Sequence, residues 1–322
     1  MRETTRLTSK ETAAWLLKRD GFLVLTHSRP DGDTLGCAAG LCAGLRKIGK
    51  VAYILENPET TDRYLEYVAP YLAPADFEPQ VVVTVDTADV GIFQKNAGPY
   101  ASRVDLSIDH HASYTGYAAY SCVDVSKAAC GEVVYAVLLA LGDDLISPEV
   151  ALPLYVALAT DTGCFVYANV TADTLEVASA LIRAGADHRR VNKKLFRTKT
   201  RGRMALDGAL FSGLRFYQDG QIAVALVTQE LMTRTGVTEN DLDDIATIPN
   251  QAEGVRVGIV VKELETGDCK VSVRTAMDVD ANAICQQFGG GGHPMAAGCV
   301  VEMGPEATAE VLVKAAERQL EK

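Results

Sequence analysis

The sequence predicts an α/β protein of two domains, the first a doubly wound, mainly parallel sheet and the second a smaller, mixed α/β unit. Three observations carry that expectation. In the first half, short apolar runs bounded by Gly, Pro or polar residues alternate with helically spaced segments, the pattern of parallel strands joined by helical crossovers. Beyond Ser212 the character changes to closely spaced strands. At 322 residues the chain is long enough for two domains of about 100 to 200 residues each.

Taken in order, Thr8 followed by Glu11 has the form of a capping box, opening a short helix through Trp15 and Leu16. Phe22-Leu23-Val24-Leu25 reads as a buried strand. It hands over at Thr26-His27-Ser28-Arg29-Pro30-Asp31-Gly32-Asp33 to a helix whose Leu35, Ala38, Ala39, Cys42, Leu45 and Ile48 recur at helical spacing. A second strand is expected at 51–55 and a short helix at 64–68. The run 81–85 is a third strand ending on Asp86, and 104–108 a fourth ending on Asp109-His110-His111. Helices are expected at 131–141, 148–159 and 171–184, the second running into Thr160-Asp161-Thr162-Gly163. From Asp187 the sequence turns basic, and an interdomain linker is placed at 187–212, between a first domain of 1–186 and a second of 213–322. In the second, 214–217, 222–227, 255–264 and 270–275 read as strands, Glu265-Thr266-Gly267-Asp268 as a hairpin turn and 305–320 as a closing helix.

Composition narrows the functional classes. With 48% hydrophobic residues and a mean hydropathy near zero, the chain reads as an ordinary soluble protein and not a disordered one. Its apolar runs fall far short of the roughly 18 residues needed to span a membrane, and Met1-Arg2-Glu3-Thr4 lacks the form of a signal peptide. A cytoplasmic location without a membrane partner is therefore expected. The eight cysteines are scattered with no C-x-x-C pair, so neither a zinc knuckle nor a disulfide framework is indicated, and a reducing compartment is expected. A net charge of −11 argues against a long nucleic-acid track, which needs many cationic contacts. A small anionic substrate held through metal ions remains compatible with it.

The residues that carry chemistry gather at strand ends. Four of the five histidines, His27, His110, His111 and His293, lie in Asp-rich or Gly-rich loops, and only His188 lies elsewhere. Asp31, Asp33, Asp86 and Asp161 offer hard oxygen donors, and His27 and His110 borderline nitrogen, with no cysteine among them. Such a set suits Mn²⁺, with Mg²⁺, Co²⁺ or Fe²⁺ as alternatives, better than structural zinc. So many carboxylates brought together need cations to offset their repulsion, and two ions fit the charge better than one. Asp86, at the end of a central strand, is placed to bridge both, and Asp89 is read as an exposed helix-start residue. His110 and His111 are adjacent, so in an extended segment their side chains point to opposite sides and one is free to reach substrate. Arg274 and the run Gly289-Gly290-Gly291-Gly292-His293 form a candidate clamp, because Arg makes forked phosphate contacts and glycines allow close backbone approach.

With these residues in view, the chain resembles a DHH/DHHA1 phosphoesterase. The matching motifs are His27-x-x-Pro30-Asp31-Gly32-Asp33, Asp86-Thr87-Ala88-Asp89, Asp109-His110-His111, Thr160-Asp161-Thr162-Gly163 and Gly289 to His293 followed by Ala296-Ala297-Gly298. They span nearly the whole chain in the family's order. The two-domain length is most similar to the branch of bifunctional oligoribonucleases and pAp phosphatases, the nanoRNases. The resemblance implies a DHH domain followed by a DHHA1 domain, and two Mn²⁺ ions. One ion would be held by His27, Asp31 and Asp86, the other by Asp33, Asp86, His110 and Asp161. Asp109 would orient the adjacent histidine, His111 would contact the scissile phosphate, and Arg274, Gly291, Gly292 and His293 would hold the nucleotide's terminal phosphate or base. Cys37, where relatives often carry Ser, departs from the pattern outside the ligand set.

The implied activity is hydrolysis of very short RNA oligonucleotides to mononucleotides, with removal of the 3′-phosphate of pAp to give AMP. The implied partners are short oligoribonucleotides, dinucleotides or pAp, with no long nucleic acid, and a homodimer is compatible with them. A stand-alone phosphodiesterase for c-di-AMP or pApA shares the same residues. An inorganic pyrophosphatase differs in the Gly-rich clamp, and a RecJ-like exonuclease is disfavoured by length and acidity. From another class, a non-catalytic nucleotide sensor would have lost a ligand, whereas every expected position is filled.

Overall fold

The structure, a computed structural model, describes residues 4–242 and 244–321. The chain divides after Thr198 into two units, each built on its own sheet.

The first unit runs β1 (Thr5–Arg6), α1 (Ser9–Leu17), β2 (Phe22–Leu25), α2 (Gly32–Lys47), β3 (Ala52–Ile54), α3 (Asp62–Val68), β4 (Val81–Val85), β5 (Leu106–Asp109), β6 (Tyr120–Val123), α4 (Cys130–Leu141), α5 (Pro148–Asp161), α6 (Ala172–Arg183) and α7 (His188–Asn192). The capping box at Thr8 and Glu11 forms and opens α1. Among the described residues the sheet has six strands in the order β1-β6-β5-β4-β2-β3, every pairing parallel. From β2 the chain steps out to β3 and then returns across to β4, β5 and β6, so strand addition reverses direction between β2 and β4. In open parallel sheets that reversal leaves a ligand-binding crevice at the carboxyl ends of the strands.

Period-two alternation divides each central strand between two cores. Phe22 and Val24 of β2 join Val81 and Val83 of β4 in a core completed by α2, α4 and α5, whereas Leu23, Leu25 and Val82 join Val104 and Ala118 on the opposite face. Burial on both faces is why these strands read as unbroken apolar runs. The helices are held close by small residues. A Cβ on Gly36 of α2 would lie 2.3 Å from the Pro153 carbonyl oxygen and 2.9 Å from the Ala157 nitrogen of α5, so no larger residue fits without parting the two backbones.

The second unit runs α8 (Arg201–Ser212), β7 (Arg215–Tyr217), β8 (Ile222–Val227), α9 (Gln229–Thr235), β9 (Val257–Glu263), β10 (Cys269–Thr275), α10 (Ala281–Gln286), β11 (Gly291–His293), β12 (Ala296–Val301) and α11 (Pro305–Leu320). Its six described strands follow the order β11-β12-β10-β9-β8-β7, with β8 and β9 parallel and the other neighbours antiparallel. The Glu265-to-Asp268 turn closes the β9–β10 hairpin, Leu264 N–H donating to Asp268 O at 2.8 Å.

Two elements depart from the sequence reading. Most of the stretch expected as a linker is helical: Val191 and Leu195 are buried in the first unit's core, and Leu206 and Leu210 of α8 in a core of the second. Arg189, Arg190, Lys193, Arg197, Lys199 and Arg201 are exposed, which gives the stretch a linker-like composition, whereas Arg203 is buried and paired with Asp207 at 2.7 Å. The glycine run, singled out in the sequence only as a candidate clamp, ends in strand β11, because pairing with β12 supplies what glycine's poor strand propensity does not. A Cβ at Gly292 would lie 2.5 Å from the Ala296 carbonyl oxygen, so this tight hairpin requires glycine there. No helix among the described residues is long and apolar enough to cross a membrane.

Candidate metal centre

The loop after β2, the residue after β4, the end of β5 and the end of α5 bring His27, Asp31, Asp33, Asp86, His110, His111 and Asp161 to one cup. Asp31 is the N-cap of α2, its Oδ1 accepting from Asp33 N–H at 3.0 Å and Thr34 N–H at 3.1 Å. The Thr34 hydroxyl donates to Val85 O at 3.1 Å, which ties this helix start to the end of β4. Asp86 follows with φ +52°, a left-handed conformation that turns its carboxylate away from the strand line. Asp33 is fully enclosed: its Oδ2 accepts from Cys130 N–H at 2.6 Å and its Oδ1 from Gly131 N–H at 3.0 Å. These are the first amides of α4, whose N-cap Ala129 has no capping side chain, so Asp33 caps α4 from another helix.

Three groups of donor atoms lie within 4.8 Å of one another: His27, Asp31 and Asp86; Asp33, His110 and Asp161; and Asp86, His110 and His111. Asp86 joins them. Its Oδ2 is 3.8 Å from His27 Nε2, and its Oδ1 is 3.5 Å from His110 Nε2 and 3.6 Å from His111 Nδ1. His110 Nε2 is also 3.8 Å from Asp33 Oδ2 and 3.6 Å from Asp161 Oδ2, and His27 Nε2 is 3.6 Å from Asp31 Oδ1. These separations exceed hydrogen-bond lengths of about 2.7 to 3.2 Å. They are near the spacing of ligands that share an ion at about 2.1 Å. Asp86 Oδ1 is buried with no hydrogen-bond partner, an orphaned anionic oxygen that a cation would satisfy.

The imidazoles are set for the same purpose. His27 Nδ1 lies 2.8 Å from Ser28 O and His110 Nδ1 3.1 Å from Lys127 O. A carbonyl only accepts, so each Nδ1 carries hydrogen and each Nε2 presents its lone pair to the cup. Electrostatics show how strongly the cup attracts positive charge. Burial alone would lower His27 and His110, yet the nearby Asp31 carboxylate lifts His27 to about 9, and the Asp86 and Asp33 carboxylates lift His110 to about 10. Burial pushes Asp161 up to about 6, and burial with the nearby Asp86 and Asp161 charges pushes Asp33 up too.

All six ligand candidates thus meet in one place, and Asp109 and His111 lie beside them. Asp109 is wholly buried, and its Oδ1 accepts from the backbone N–H groups of His110 and His111 and from His111 Nδ1 at 2.7 Å. That hydrogen bond raises the His111 pKa. The expectation that His110 and His111 point to opposite sides is corrected: their rings meet edge to face with centroids 4.7 Å apart, and both face Asp86. The strand ends at Asp109, whose carboxylate folds the chain into a turn, so strand alternation no longer applies. Cys37 is closer to the site than expected, its Sγ–H donating to Asp33 Oδ1 at 3.1 Å. Asp89 caps a short helical turn by accepting from Gly91 N–H. The Lys127 carbonyl and the Cys130 and Gly131 amides are backbone groups, and no side-chain pattern announces them.

In the second unit, Arg274, Gly291 and His293 line a groove of about 700 Å³ together with Lys270, Ser272 and Phe288. Gly292 stands apart, its N–H already donating to Asn282 Oδ1 at 3.0 Å, so the hairpin and not a ligand uses that amide.

Comparison with known proteins agrees with this architecture. Residues 21–158 match the DHH family, N-terminal domain, and residues 219–322 the DHHA1 domain. A Thermus thermophilus protein named bifunctional oligoribonuclease and PAP phosphatase NrnA is 32% identical over 87% of this chain and 83% of its own length. A Bacillus subtilis protein of the same name is 25% identical over 89% of this chain and 91% of its own. The crystal structure of an exopolyphosphatase-related protein from Bacteroides fragilis superposes with a TM-score of 0.87 at 23% identity, covering 96% of this chain and 95% of that one, and so shares the fold. The parallel sheet with its acidic cup, the mixed second sheet and the match along most of the chain place this protein among the DHH/DHHA1 phosphoesterases, in the branch of the bifunctional oligoribonucleases and PAP phosphatases.

Proposed function

We propose that this phosphoesterase hydrolyses short oligoribonucleotides to mononucleotides and removes the 3′-phosphate of pAp, using two Mn²⁺ ions in the cup of the first unit. The observation that carries the proposal is Asp86, whose two carboxylate oxygens face different histidines and so are set to bridge two ions. His27, Asp31 and Asp86 would hold one ion, and Asp33, Asp86, His110 and Asp161 the other. Oxygen and imidazole donors without thiolate favour Mn²⁺ over zinc. When bound, such a pair supplies an activated water and offsets the negative charge that builds on the phosphoryl oxygens.

The chain's own residues do the rest. Asp109 holds the Nδ1–H of His111, which turns Nε2 outward, and the upward shift of its pKa favours the protonated ring, whose Nε2–H would donate to an oxygen of the scissile phosphate. Asp109 thereby positions His111 and touches no substrate itself. The second unit is read as the substrate-binding domain, with Arg274, Gly291, Gly292 and His293 receiving the nucleotide's terminal phosphate or base. At Gly292 only the open backbone surface would serve, since its N–H is engaged. A cytoplasmic site of action belongs to the same proposal and is supported by eight free cysteines.

The test is a panel of pApA, pGpG, pAp and c-di-AMP with the purified protein in Mn²⁺, Mg²⁺ or Co²⁺. The proposal expects turnover of linear dinucleotides and pAp, fastest with Mn²⁺. Turnover of c-di-AMP with little on pAp would replace it by the cyclic-dinucleotide reading, and tight dinucleotide binding with no hydrolysis in any metal would replace it by a sensor.

A further inference from the structure

One short strip, residues 127–131, touches His110 and Asp33 of the Asp33–His110–Asp161 group and reaches the backbone of the third through one side chain. The Lys127 carbonyl accepts from His110 Nδ1 at 3.1 Å, and the Cys130 and Gly131 amides bind the Asp33 carboxylate at 2.6 and 3.0 Å. Asp161 is reached through Asn169, whose side-chain amide donates both to Ala128 O at 3.0 Å and to Asp161 O at 3.1 Å. The strip is irregular chain leading into α4 and has no strand partner to fix it. It is held by Glu132, a wholly enclosed carboxylate whose Oε1 accepts from Ala128 N–H at 3.0 Å and from the Thr174 hydroxyl at 2.9 Å. Lys127 Nζ, 3.9 Å from Glu132 Oε2 and 3.2 Å from Asp173, adds a charge partner. The His27–Asp31–Asp86 group is anchored elsewhere, Asn57 donating to His27 O at 2.9 Å and α2's first amides binding Asp31.

We infer that Glu132 and Asn169 are positioning residues for one of the two ion sites only, the one made by Asp33, His110 and Asp161. This rests on the reading that the cup holds two ions. A buried carboxylate is costly unless it is partnered, and here Oε1 is bonded to the segment that bears on three ligands and to Thr174, while Oε2 has no hydrogen bond and faces Lys127 Nζ at 3.9 Å. Shifting that segment would turn the His110 ring, loosen Asp33 and release the Asp161 loop together, while leaving His27 and Asp31 in place. Outer groups that hold metal ligands typically change metal affinity by about 10- to 100-fold when removed.

The experiment is Mn²⁺ titration of the full-length chain, followed calorimetrically and by electron paramagnetic resonance of free Mn²⁺, for wild type, Asn169→Ala, Glu132→Ala and Glu132→Gln. Wild type is expected to bind two ions. Asn169→Ala and Glu132→Ala are expected to bind one at wild-type affinity and the other about 10- to 100-fold more weakly. Glu132→Gln keeps an oxygen acceptor for Ala128 and Thr174 and should stay nearer wild type. Should Glu132→Ala fail to fold, Asn169→Ala decides alone, since Asn169 is exposed. Two unchanged affinities in Asn169→Ala, or equal weakening of both, would overturn the inference and leave the two-ion reading standing. A wild type that binds fewer than two ions would overturn both.

Discussion

Asp86→Asn separates a functional from a structural role for the residue between the donor groups. Asparagine is nearly isosteric and is among the few residues that accept Asp86's φ of +52°, so the backbone should be undisturbed. The loss is one negative charge shared by the His27 and His110 sides, each oxygen lying 3.5 to 3.8 Å from an imidazole. Removing a single preorganised group that offsets transition-state charge costs about 10²- to 10³-fold in kcat. Because Asp86 serves both sides, the expectation is about 10³-fold or more, about 4 kcal/mol in the barrier. Stability should move the other way. Burial holds the Asp86 pKa above the usual carboxylate range, so at pH 8 its charge opposes folding once metal is stripped. The new amide's oxygen can still accept from the protonated His110 Nε2, and removing the costly part of the buried charge is worth about 1 to 3 kcal/mol. For a unit of this size that is about 2 to 4 °C in Tm per kcal/mol. Release of AMP from pApA by chromatography and calorimetric melting in EDTA give the two readouts. A variant within tenfold of wild-type turnover in saturating Mn²⁺ would refute the bridging role. A sharply lowered Tm in EDTA would show that the carboxylate is structural.

Other consequences follow from the same geometry. His27 and His110 are raised to about 9 and about 10, so the stability they contribute is complete below their unfolded value of about 6.5 and is lost as pH rises through the folded values. Protein treated with EDTA should therefore melt at progressively lower temperature from pH 6.5 to pH 10, with a shallower decline in saturating Mn²⁺, and a flat profile in EDTA would contradict this. Gly36→Val should lower Tm by the equivalent of about 1 to 3 kcal/mol, because its Cβ would meet α5 backbone atoms at 2.3 and 2.9 Å. An unchanged melting curve would show that α2 and α5 can part freely. Arg274→Ala should raise KM for pApA while leaving Mn²⁺ stoichiometry untouched, and loss of bound metal would argue against a purely substrate-binding role.

What the sequence disclosed, and what it hid, follows from how each residue is placed. Val81 to Val85 and Phe22 to Leu25 were legible because burial on two faces writes an unbroken apolar run. His27, Asp31, Asp86, Asp109, His110 and Asp161 were legible because each sits where such a run or a helix stops. The β11 hairpin was not, since Gly291 and Gly292 carry no strand preference and form a strand only through β12. The common direction of His110 and His111 was also hidden, because it depends on Asp109 bending the chain just after β5. Nor could composition show that Asp33 caps α4 or that Lys127 sets the His110 tautomer. Both partners are backbone atoms, supplied by a segment about 20 to 100 residues away.

The central claim is that Asp86 stands between two divalent cations. Anomalous diffraction at the manganese edge from crystals grown with Mn²⁺ tests it most directly. Two peaks are expected, one among His27, Asp31 and Asp86 and one among Asp33, Asp86, His110 and Asp161. A single peak, or peaks away from Asp86, would contradict it.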